Sequence, residues 1–556
     1  MKKIIAIMLC LVALISLGAC GSAKVPSQDS SNRTGSASAR KEILIVGIPD
    51  TPPTVDHSNG SGMVAQYMII DNVMDYGAQW PLVQSQQPDM DFVSVPDFSD
   101  PRALVPQLFE KWEVSGDNQT ATYTIKKGIK SAYGNELTTR DIQWKYERHV
   151  ALGAVGNFFM TVTDVIGADG QVDFEIVDDY TFKTHSVGPN ALHEYIMTSM
   201  YDTVWDSTEA QKHATEDDPW ATEWISKNGG GFGAYYITDW VAGQQITMEA
   251  NPNYFLGVPS IKKVIFKVIP ESANRVAMLK RGEIDIATEL SAKEIDSLKS
   301  ESGVKVVDIP ANTNEFLVLN EKLVPQFANQ KVRQAINYAI PKDEIVETAY
   351  YGQAKAWDAV FTTVVPGALS QEQWMYSYDL DKAKALMEEA GYGEGFDVEL
   401  YYSAGWPAHE TIAIKMQESL AKIGITVSLR KTPTGSFDTL VRSYEAPFAI
   451  LHEYPALPNG IFNMSLYYLS KDAGGAYGAF GFYDSKKADG LLINGIRTAF
   501  EKQQEISEQA QKTLMEEAPM GWVVESNYTC AIRENLEGFN WNFGQGTRFH
   551  LMNIKG

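Results

Sequence analysis

Strand patterns alternate with helix patterns along this chain, and that alternation constrains its fold more than any other feature. Apolar runs and alternating apolar residues predict strands over 42–48, 121–126, 263–269, 396–402 and 426–430. Helical spacing predicts helices over 141–150, 273–279 and 409–423. Residues 235–241 and 245–250, joined by a short turn that contains Gly243, predict a hairpin. Helices that alternate with strands indicate an α/β fold of open mixed sheets with helices packed on their faces.

The N-terminus has the features of an export signal. Two lysines precede an apolar run over residues 4–17, which is shorter than the roughly 20 residues that a membrane-spanning helix needs. The sequence Leu-Gly-Ala then leads to Cys20. Small residues before a cysteine resemble the lipobox of bacterial lipoproteins, in which cleavage leaves that cysteine at the N-terminus. We therefore predict a signal peptide over 1–19 and lipidation (palmitate) on Cys20; an ordinary secreted protein cleaved nearby is the alternative.

The segment after this cysteine is predicted to be a tether. Residues 21–40 are rich in Ser, Ala, Gly and Thr and contain almost no large apolar side chain, so they cannot pack into a core. Together with the lipid, residues 20–42 would hold the protein outside the cytoplasm on the cell membrane. The length of the tether and Gly21 favour a Gram-positive surface over a periplasm.

Composition and charge limit the partners of this chain. Without the signal peptide, more than 500 residues remain, too many for one core to organise, so two or three lobes are expected. An apolar content of 44% suffices for such cores. The formal charge of −23 disfavours non-specific binding of nucleic acid, because phosphates would be repelled. Solubility is the simpler reason for this charge than a cationic partner.

Cysteine usage excludes an internal disulfide. Of the three cysteines, Cys10 leaves with the signal peptide and Cys20 is predicted to carry lipid. Cys530 alone remains, and it lies within an apolar pattern over 522–532. We therefore expect it to be a core residue.

The sequence contains no recognisable catalytic or metal-binding motif. His193, His409 and His452 are each followed by Glu, but the position four residues after each histidine is not a second histidine, as the zinc motif requires. No serine lies in a G-x-S-x-G elbow. The glycine-rich stretch 229–233 is not followed by Lys-Ser or Lys-Thr, so a phosphate loop is not indicated. We predict a protein that is not an enzyme and that uses neither a metal nor another cofactor.

Five blocks of sequence carry a family resemblance. They occupy residues 104–142, 231–237, 251–255 together with 261–287, 331–340 and 379–392. The first, which begins Leu-Val-Pro-Gln-Leu-Phe-Glu-Lys-Trp-Glu-Val, is similar to the signature of the extracellular solute-binding proteins of family 5. These are the dipeptide-, oligopeptide- and nickel-binding proteins that feed ABC importers. The other four blocks resemble the same family in the expected order, and the match extends over nearly all of 43–556.

The resemblance implies a clam-shaped fold, the type II (cluster C) periplasmic-binding-protein architecture. Two α/β lobes would be joined by a hinge, with an extra subdomain on the first lobe and the ligand in the cleft between the lobes. It assigns 43–78, 184–305 and 521–556 to lobe I, 79–183 to the subdomain and 306–520 to lobe II. Hinge strands are expected near 304–308 and 521–526.

The resemblance also indicates where a ligand would bind. Family peptide binders carry a segment Trp-x-Ala-Asp-Tyr-x-x-Pro, whose aspartate pairs with the α-ammonium of the ligand. Here the corresponding segment over 450–459 has Glu453 before Tyr454, with His452 preceding them. A glutamate could still bind an ammonium group, although this departure puts plain peptide binding in question. The alternative is that Glu453 is a solvated loop charge.

Aromatic residues offer a second indication of the ligand site. Judged by family order, five of them approach the cleft: Trp80, Trp357, Trp406, Phe232 and Tyr483. Flat aromatic faces suit apolar side chains, cations or sugar rings. For each residue, ordinary core packing is at least as good an explanation. Asp56 resembles a family aspartate for which a structural role in a turn is expected.

The resulting functional prediction is a monomeric, membrane-anchored binding protein. It would capture a peptide or peptide-like solute and deliver it to the permease subunits of an ABC importer. Import of an oligosaccharide or another small solute is the alternative within the same family. An extracellular hydrolase ranks third, because no catalytic set is recognisable.

Overall fold

The computed structural model describes residues 42–58, 63–100, 102–153, 159–160, 162–163, 172–455, 457–473, 478–542 and 546–555. The predicted signal peptide, Cys20 and the tether up to residue 41 lie outside these residues.

Twenty-one strands are present in the described part of the chain. They are β1 (Ile43–Ile48), β2 (Ala78–Gln79), β3 (Leu82–Gln84), β4 (Ser94–Pro96), β5 (Val105–Pro106), β6 (Phe109–Val114), β7 (Thr120–Ile125), β8 (Phe174–Asp178), β9 (Thr181–His185), β10 (Tyr235–Val241), β11 (Gln245–Ala250), β12 (Lys263–Val268), β13 (Ile286–Thr288), β14 (Val304–Leu319), β15 (Ala354–Ala356), β16 (Phe396–Ser403), β17 (Ile425–Thr432), β18 (Phe448–Glu453), β19 (Met520–Arg533), β20 (Leu536–Glu537) and β21 (Asn553–Ile554).

Fifteen α-helices accompany these strands within the same described ranges. They are α1 (Val64–Val73), α2 (Thr139–Leu152), α3 (His193–Ile196), α4 (Ser207–Ala210), α5 (Thr222–Asn228), α6 (Ser272–Lys280), α7 (Ala292–Leu298), α8 (Gln330–Tyr338), α9 (Lys342–Tyr350), α10 (Leu380–Glu389), α11 (Pro407–Ala421), α12 (Thr434–Arg442), α13 (Gly460–Tyr468), α14 (Lys486–Arg497) and α15 (Phe500–Glu517).

One large mixed sheet organises both halves of the molecule. Its strand order is β10-β11-β12-β1-β13-β19-β14-β18-β16-β17, with β15 pairing with β19. β1 runs parallel to β12 and β13, whereas β14 runs antiparallel to β19 and β18. The predicted architecture of mixed sheets with helices is confirmed.

Two long central strands connect the two halves of this sheet. β14 and β19 pair from Val304 opposite Arg533 to Val318 opposite Met520, with a register irregularity between Ile309 and Thr313. Both segments predicted as hinges lie within these strands. One side of the pair continues into β13 and β1, and the other into β18 and β16. Residues at this junction therefore belong to neither half alone.

Local predictions agree with the structure. The predicted hairpin is formed by β10 and β11, and the predicted strand–helix–strand run over 396–430 is formed by β16, α11 and β17. α2 begins after Thr138, whose side chain forms a capping box with Asp141. Cys530 is fully buried and free, as predicted.

A second sheet occupies the region predicted as the extra subdomain. It has four antiparallel strands in the order β6-β7-β9-β8 and its own apolar core around Phe109, Tyr123 and Phe182. β9 extends two residues past the predicted boundary at 183. The domain boundaries themselves stay predictions. Among the described residues, no helix combines the length and apolar character needed to cross a bilayer.

Candidate ligand-binding cleft

Two neighbouring cavities lie where the halves of the large sheet meet. The larger, of about 520 Å³, is lined from one side by residues such as Asp50 and Tyr67, and from the other by residues such as Phe437 and Glu453. The smaller, of about 380 Å³, opens beside α9, α11 and the central strands. The two linings share Glu289, Gly405, Trp406 and Tyr454. Each volume is within the range of about 300–1,000 Å³ that is typical of small-molecule sites.

Trp406 and His452 form a flat wall of the cleft. Their rings stack with centroids 3.7 Å apart and an interplanar angle of 2°. Trp406 directly precedes α11, where the proline at its first position fixes the entry of the chain into the helix. The indole Nε1 donates to Oε1 of Glu315 at 3.3 Å, which fixes the orientation of the wall. This surface offers an apolar face next to a polar network.

His452 of this wall also belongs to a compact cluster with Glu315 and His409. Their nearest ligand-type atoms lie within 4.8 Å of one another. Nε2 of His409 lies 3.0 Å from Oε2 of Glu315, and both side chains are fully buried. Burial opposes ionisation of Glu315, but the hydrogen bond and charge of His409 outweigh it and lower the pKa of the carboxyl. Burial lowers the pKa of His452 to about 3.

The same cluster has the donor set that a divalent cation prefers, two imidazoles and one carboxylate. However, the Glu315 oxygens already accept hydrogen bonds from Trp406, His409 and Ser526. These contacts account for the buried carboxylate without a metal. Glu315 and His409 therefore act in this structure as a support for Trp406 and His452.

Glu453 lies at the end of β18, beside the larger cavity. Its backbone pairs with Asn314 of the central strand β14, so its position is fixed by the sheet. The side chain is half-buried and forms no ion pair with any residue that the structure describes. Burial raises its pKa to about 7; Arg442 opposes this shift and Asp438 adds to it. A carboxylate in such surroundings is stabilised by a cation.

Glu289 is a second carboxylate of the cleft and is not among the residues predicted from the sequence. It follows β13 directly, half-buried, and lines both cavities. Its Oε2 is buried without a hydrogen-bond partner. Burial raises its pKa to about 7, and only the charge of Arg275 opposes this. One sequence signal pointed to it: ligands of open α/β sheets bind beyond the carboxyl ends of strands, and Glu289 is the first residue after one.

Tyr454 directly follows Glu453 and lines both cavities together with Glu289. Its side chain is 7% exposed, and its ring contacts Tyr67 of α1 edge-on at a centroid distance of 5.8 Å. The hydroxyl is buried and has no hydrogen-bond partner. Burial, followed by the charges of Glu289, Glu315 and Glu453, raises the pKa of this phenol well above its usual value. The hydroxyl therefore remains protonated and can donate to a ligand.

The structure brings together four of the eight predicted contact residues and separates the other four. Glu453, Tyr454, His452 and Trp406 line the cavities, whereas Trp80, Trp357, Phe232 and Tyr483 do not. The last four are buried in apolar cores. The indole of Trp357 donates to the Phe361 carbonyl at 3.3 Å, and the Tyr483 hydroxyl donates to Glu517. Ligand contact by these four stays a prediction, and core packing is their observed role.

Comparison with known proteins identifies the family. Residues 103–475, about two thirds of the chain, match the family "Bacterial extracellular solute-binding proteins, family 5 Middle". The probable D,D-dipeptide-binding periplasmic protein DdpA of Escherichia coli (strain K12) is 27% identical over 518 residues, which cover 91% of this chain and 93% of that protein.

Solved structures share the fold. The periplasmic binding protein DppA of Helicobacter pylori, in complex with the peptide STSA, superposes with a TM-score of 0.79 at 22% identity and covers 94% of this chain and 100% of its own. AgaA of A. tumefaciens R10, in complex with agropinic acid, has a TM-score of 0.77 at 20% identity, covering 92% and 99%. The predicted two-lobed clam and the family resemblance are confirmed: the chain belongs to the bacterial extracellular solute-binding proteins of family 5.

Proposed function

We propose that this protein captures a peptide or peptide-like solute in its cleft and delivers it to the permease of an ABC importer. The observation that carries the proposal is Glu453, a carboxylate without an ion-pair partner among the described residues, on a 520 Å³ cavity lined by both lobes. Members of this family are substrate-binding proteins rather than enzymes. The relative in E. coli is named for dipeptide binding, and relatives in Brucella are named as ABC transporter peptide-binding proteins.

In this proposal each cleft residue has a defined role. Glu453 pairs with the α-ammonium group of the solute, as the aspartate does in family peptide binders. The stacked Trp406 and His452 form the wall against which an apolar part of the solute packs. Tyr454 donates its hydroxyl to a carbonyl of the solute, because a buried hydroxyl without a partner is costly in a closed cleft.

A second candidate is a sugar-bearing or opine-like solute. The flat Trp406–His452 stack favours it, since aromatic faces also pack against sugar rings. One structural relative holds agropinic acid. Thermal-shift measurements with di- and tripeptides, oligosaccharides and opines distinguish these candidates. At a concentration of about one hundred times its Kd, a true ligand stabilises the folded state by about 2.7 kcal/mol and so raises the melting temperature. If peptides leave the melting temperature unchanged and a sugar raises it, the second candidate is favoured.

Ligand binding is expected to close the cleft. β14 and β19 connect the two lobes, and the cavity has contacts on both sides, so a ligand that touches both lobes shifts the equilibrium toward the closed form. Small-angle X-ray scattering should show a smaller radius of gyration when a saturating peptide is added to the wild-type protein. Glu453→Gln at the same peptide concentration is the control. An identical scattering profile with and without bound peptide would contradict closure.

We also propose that the protein is a lipoprotein monomer held on the cell membrane through Cys20, with a Gram-positive surface favoured. Each buried acyl CH₂ contributes about 0.8 kcal/mol, so a Cys20 that carries several acyl chains would anchor the protein stably. Cys20→Ala should move the protein from the membrane fraction to the soluble fraction. Ser22→Ala, in the tether, is the matched control and should remain bound. A Cys20→Ala variant that resists extraction as the wild type does would contradict the anchor.

A further inference from the structure

The charged residues around the larger cavity are mostly acidic. Among the described residues, Asp50, Glu289, Asp438 and Glu453 line it, whereas Arg442 is the one lysine or arginine that does. The smaller cavity adds Glu315 and one lysine, Lys293, which is exposed. A solute with more positive than negative charge therefore complements this lining better than a neutral zwitterion does.

Glu289 has the features of a ligand contact rather than of a structural ion pair. Its backbone has a φ of 52°, a conformation that is strained for a residue other than glycine, asparagine or aspartate. Arg275 holds that conformation, since it donates to the carbonyls of Thr288 and Glu289 at 3.0 and 2.8 Å. The Glu289 carboxylate forms no ion pair with any described residue, and its Oε2 is buried without a partner. The fold thus supports the backbone and leaves the carboxylate free in the cleft.

The two unpaired carboxylates line the same cavity from different strands of the large sheet. Glu289 directly follows β13, and Glu453 is the last residue of β18. Two strands, β19 and β14, lie between β13 and β18 in the sheet. Three strand spacings of about 4.8 Å amount to roughly 14 Å across the sheet. Burial, followed by the charges of Glu289, Glu315 and Glu453, raises the pKa of Tyr454. Tyr454, whose own buried hydroxyl lacks a partner, lines both cavities together with Glu289 and directly follows Glu453 in the chain.

We infer that the solute carries two cationic groups, an α-ammonium that pairs with Glu453 and a basic side chain that pairs with Glu289. This inference rests on the proposed function and specifies its substrate class: short peptides that contain lysine, ornithine or arginine. A neutral side chain in the same place would leave Glu289 unpaired in a closed cleft, which disfavours such peptides. Because the two contacts come from different lobes, both cations would also favour closure.

Calorimetry with two matched tripeptides tests this inference. Ala-Lys-Ala and Ala-norleucine-Ala differ in the terminal ammonium group of one side chain. The wild-type protein should bind the lysine peptide about ten- to hundredfold more tightly, as expected for one charge-assisted contact. Glu289→Gln should remove most of that preference and leave the affinity for the norleucine peptide nearly unchanged. Glu410→Gln, which removes an exposed carboxylate outside both cavities that pairs with Lys431, should keep the preference.

The outcomes separate this inference from the proposed function. Equal affinities of the wild-type protein for the two peptides, or a lysine preference that survives in Glu289→Gln, would overturn the dicationic ligand and leave peptide binding intact. Failure of both peptides and of Ala-Ala-Ala to bind would overturn the proposed function and the inference together. Glu289→Asn is the second variant, because asparagine tolerates the left-handed backbone at this position. It should lose the lysine preference as Glu289→Gln does.

Discussion

Replacing Glu453 by glutamine is expected to weaken binding of an unblocked peptide by roughly a hundredfold or more. The substitution keeps the shape of the side chain and removes its charge. In the complex, the α-ammonium group would then be buried without a counter-charge, and loss of one partner of a buried pair typically costs about 3–5 kcal/mol. Isothermal titration calorimetry of wild-type and variant protein with the same peptide measures the effect directly.

A blocked ligand provides the control for this prediction. An N-acetylated peptide lacks the α-ammonium group, so it should bind weakly to the wild-type protein and should not discriminate between wild type and Glu453→Gln. Glu410→Gln changes an exposed carboxylate of α11, paired with Lys431 at the surface, and should bind peptide as the wild type does. A free peptide that binds Glu453→Gln and wild type with equal affinity would show that Glu453 is not the ammonium partner.

The affinity of the wild-type protein should also depend on pH. Burial raises the pKa of Glu453 to about 7 in the empty cleft, and an ammonium group binds its ionised form. Affinity should therefore be highest between about pH 7 and pH 8, because the α-ammonium group of the peptide itself loses its proton at higher pH. It should fall as the pH decreases through 7, by up to about tenfold per unit. Two charged side chains, Arg442 and Asp438, face Glu453. Burial also raises the pKa of Glu289 to about 7, against the charge of Arg275, so this second carboxyl contributes to the pH dependence. The dependence should be shallower in Glu453→Gln, and an affinity that rises as the pH falls would contradict this assignment.

The fold was predictable wherever its determinants are local in sequence. The β10–β11 hairpin is defined by two alternating segments and a glycine turn, and α2 by Thr138 followed three residues later by Asp141. The order of strands in the large sheet depends instead on partners far apart in sequence. β19, for example, pairs with β13 and with β14, more than 200 residues earlier. Only the family resemblance could supply that arrangement.

The candidate site was predictable only in part, for a related reason. Glu453 and Tyr454 were found because they lie in a segment that resembles a family motif. Glu289 belongs to no such motif. Its place in the cavity lining depends on a backbone conformation that Arg275 stabilises and on the order of the strands between β13 and β18, neither of which is local in sequence. Conversely, Trp357 and Tyr483 are large aromatic residues near cleft segments, but their polar atoms are satisfied inside the core. Residue type and order cannot distinguish these environments.

Asp56→Asn is expected to cause a large loss of stability. Asp56 and Arg148 of α2 are both fully buried, and two hydrogen bonds of 2.5 and 3.1 Å join their side chains. The Arg148 guanidinium also lies 4.6 Å from the ring centre of Trp205. Removing the carboxylate leaves a buried cation without its counter-charge, which typically costs about 3–5 kcal/mol. Thermal unfolding should show a melting temperature several degrees lower than that of the wild type.

Two further variants distinguish this explanation from a general sensitivity to charge. Glu399→Gln removes one partner of an exposed pair with Arg430, and such pairs contribute only about 0–1 kcal/mol, so its melting temperature should be nearly that of the wild type. Asp56→Leu combined with Arg148→Met replaces the buried pair by apolar side chains of similar length and should be less destabilised than Asp56→Asn, because no charge is left unpaired. If the double variant were as unstable as Asp56→Asn, the loss would come from disrupted packing around Trp205 rather than from the unpaired guanidinium.

Asp56 also accepts a hydrogen bond from the Ser58 backbone N–H at 3.0 Å, so its role is the structural one expected from the sequence. Solute binding should therefore survive in any of these variants that folds.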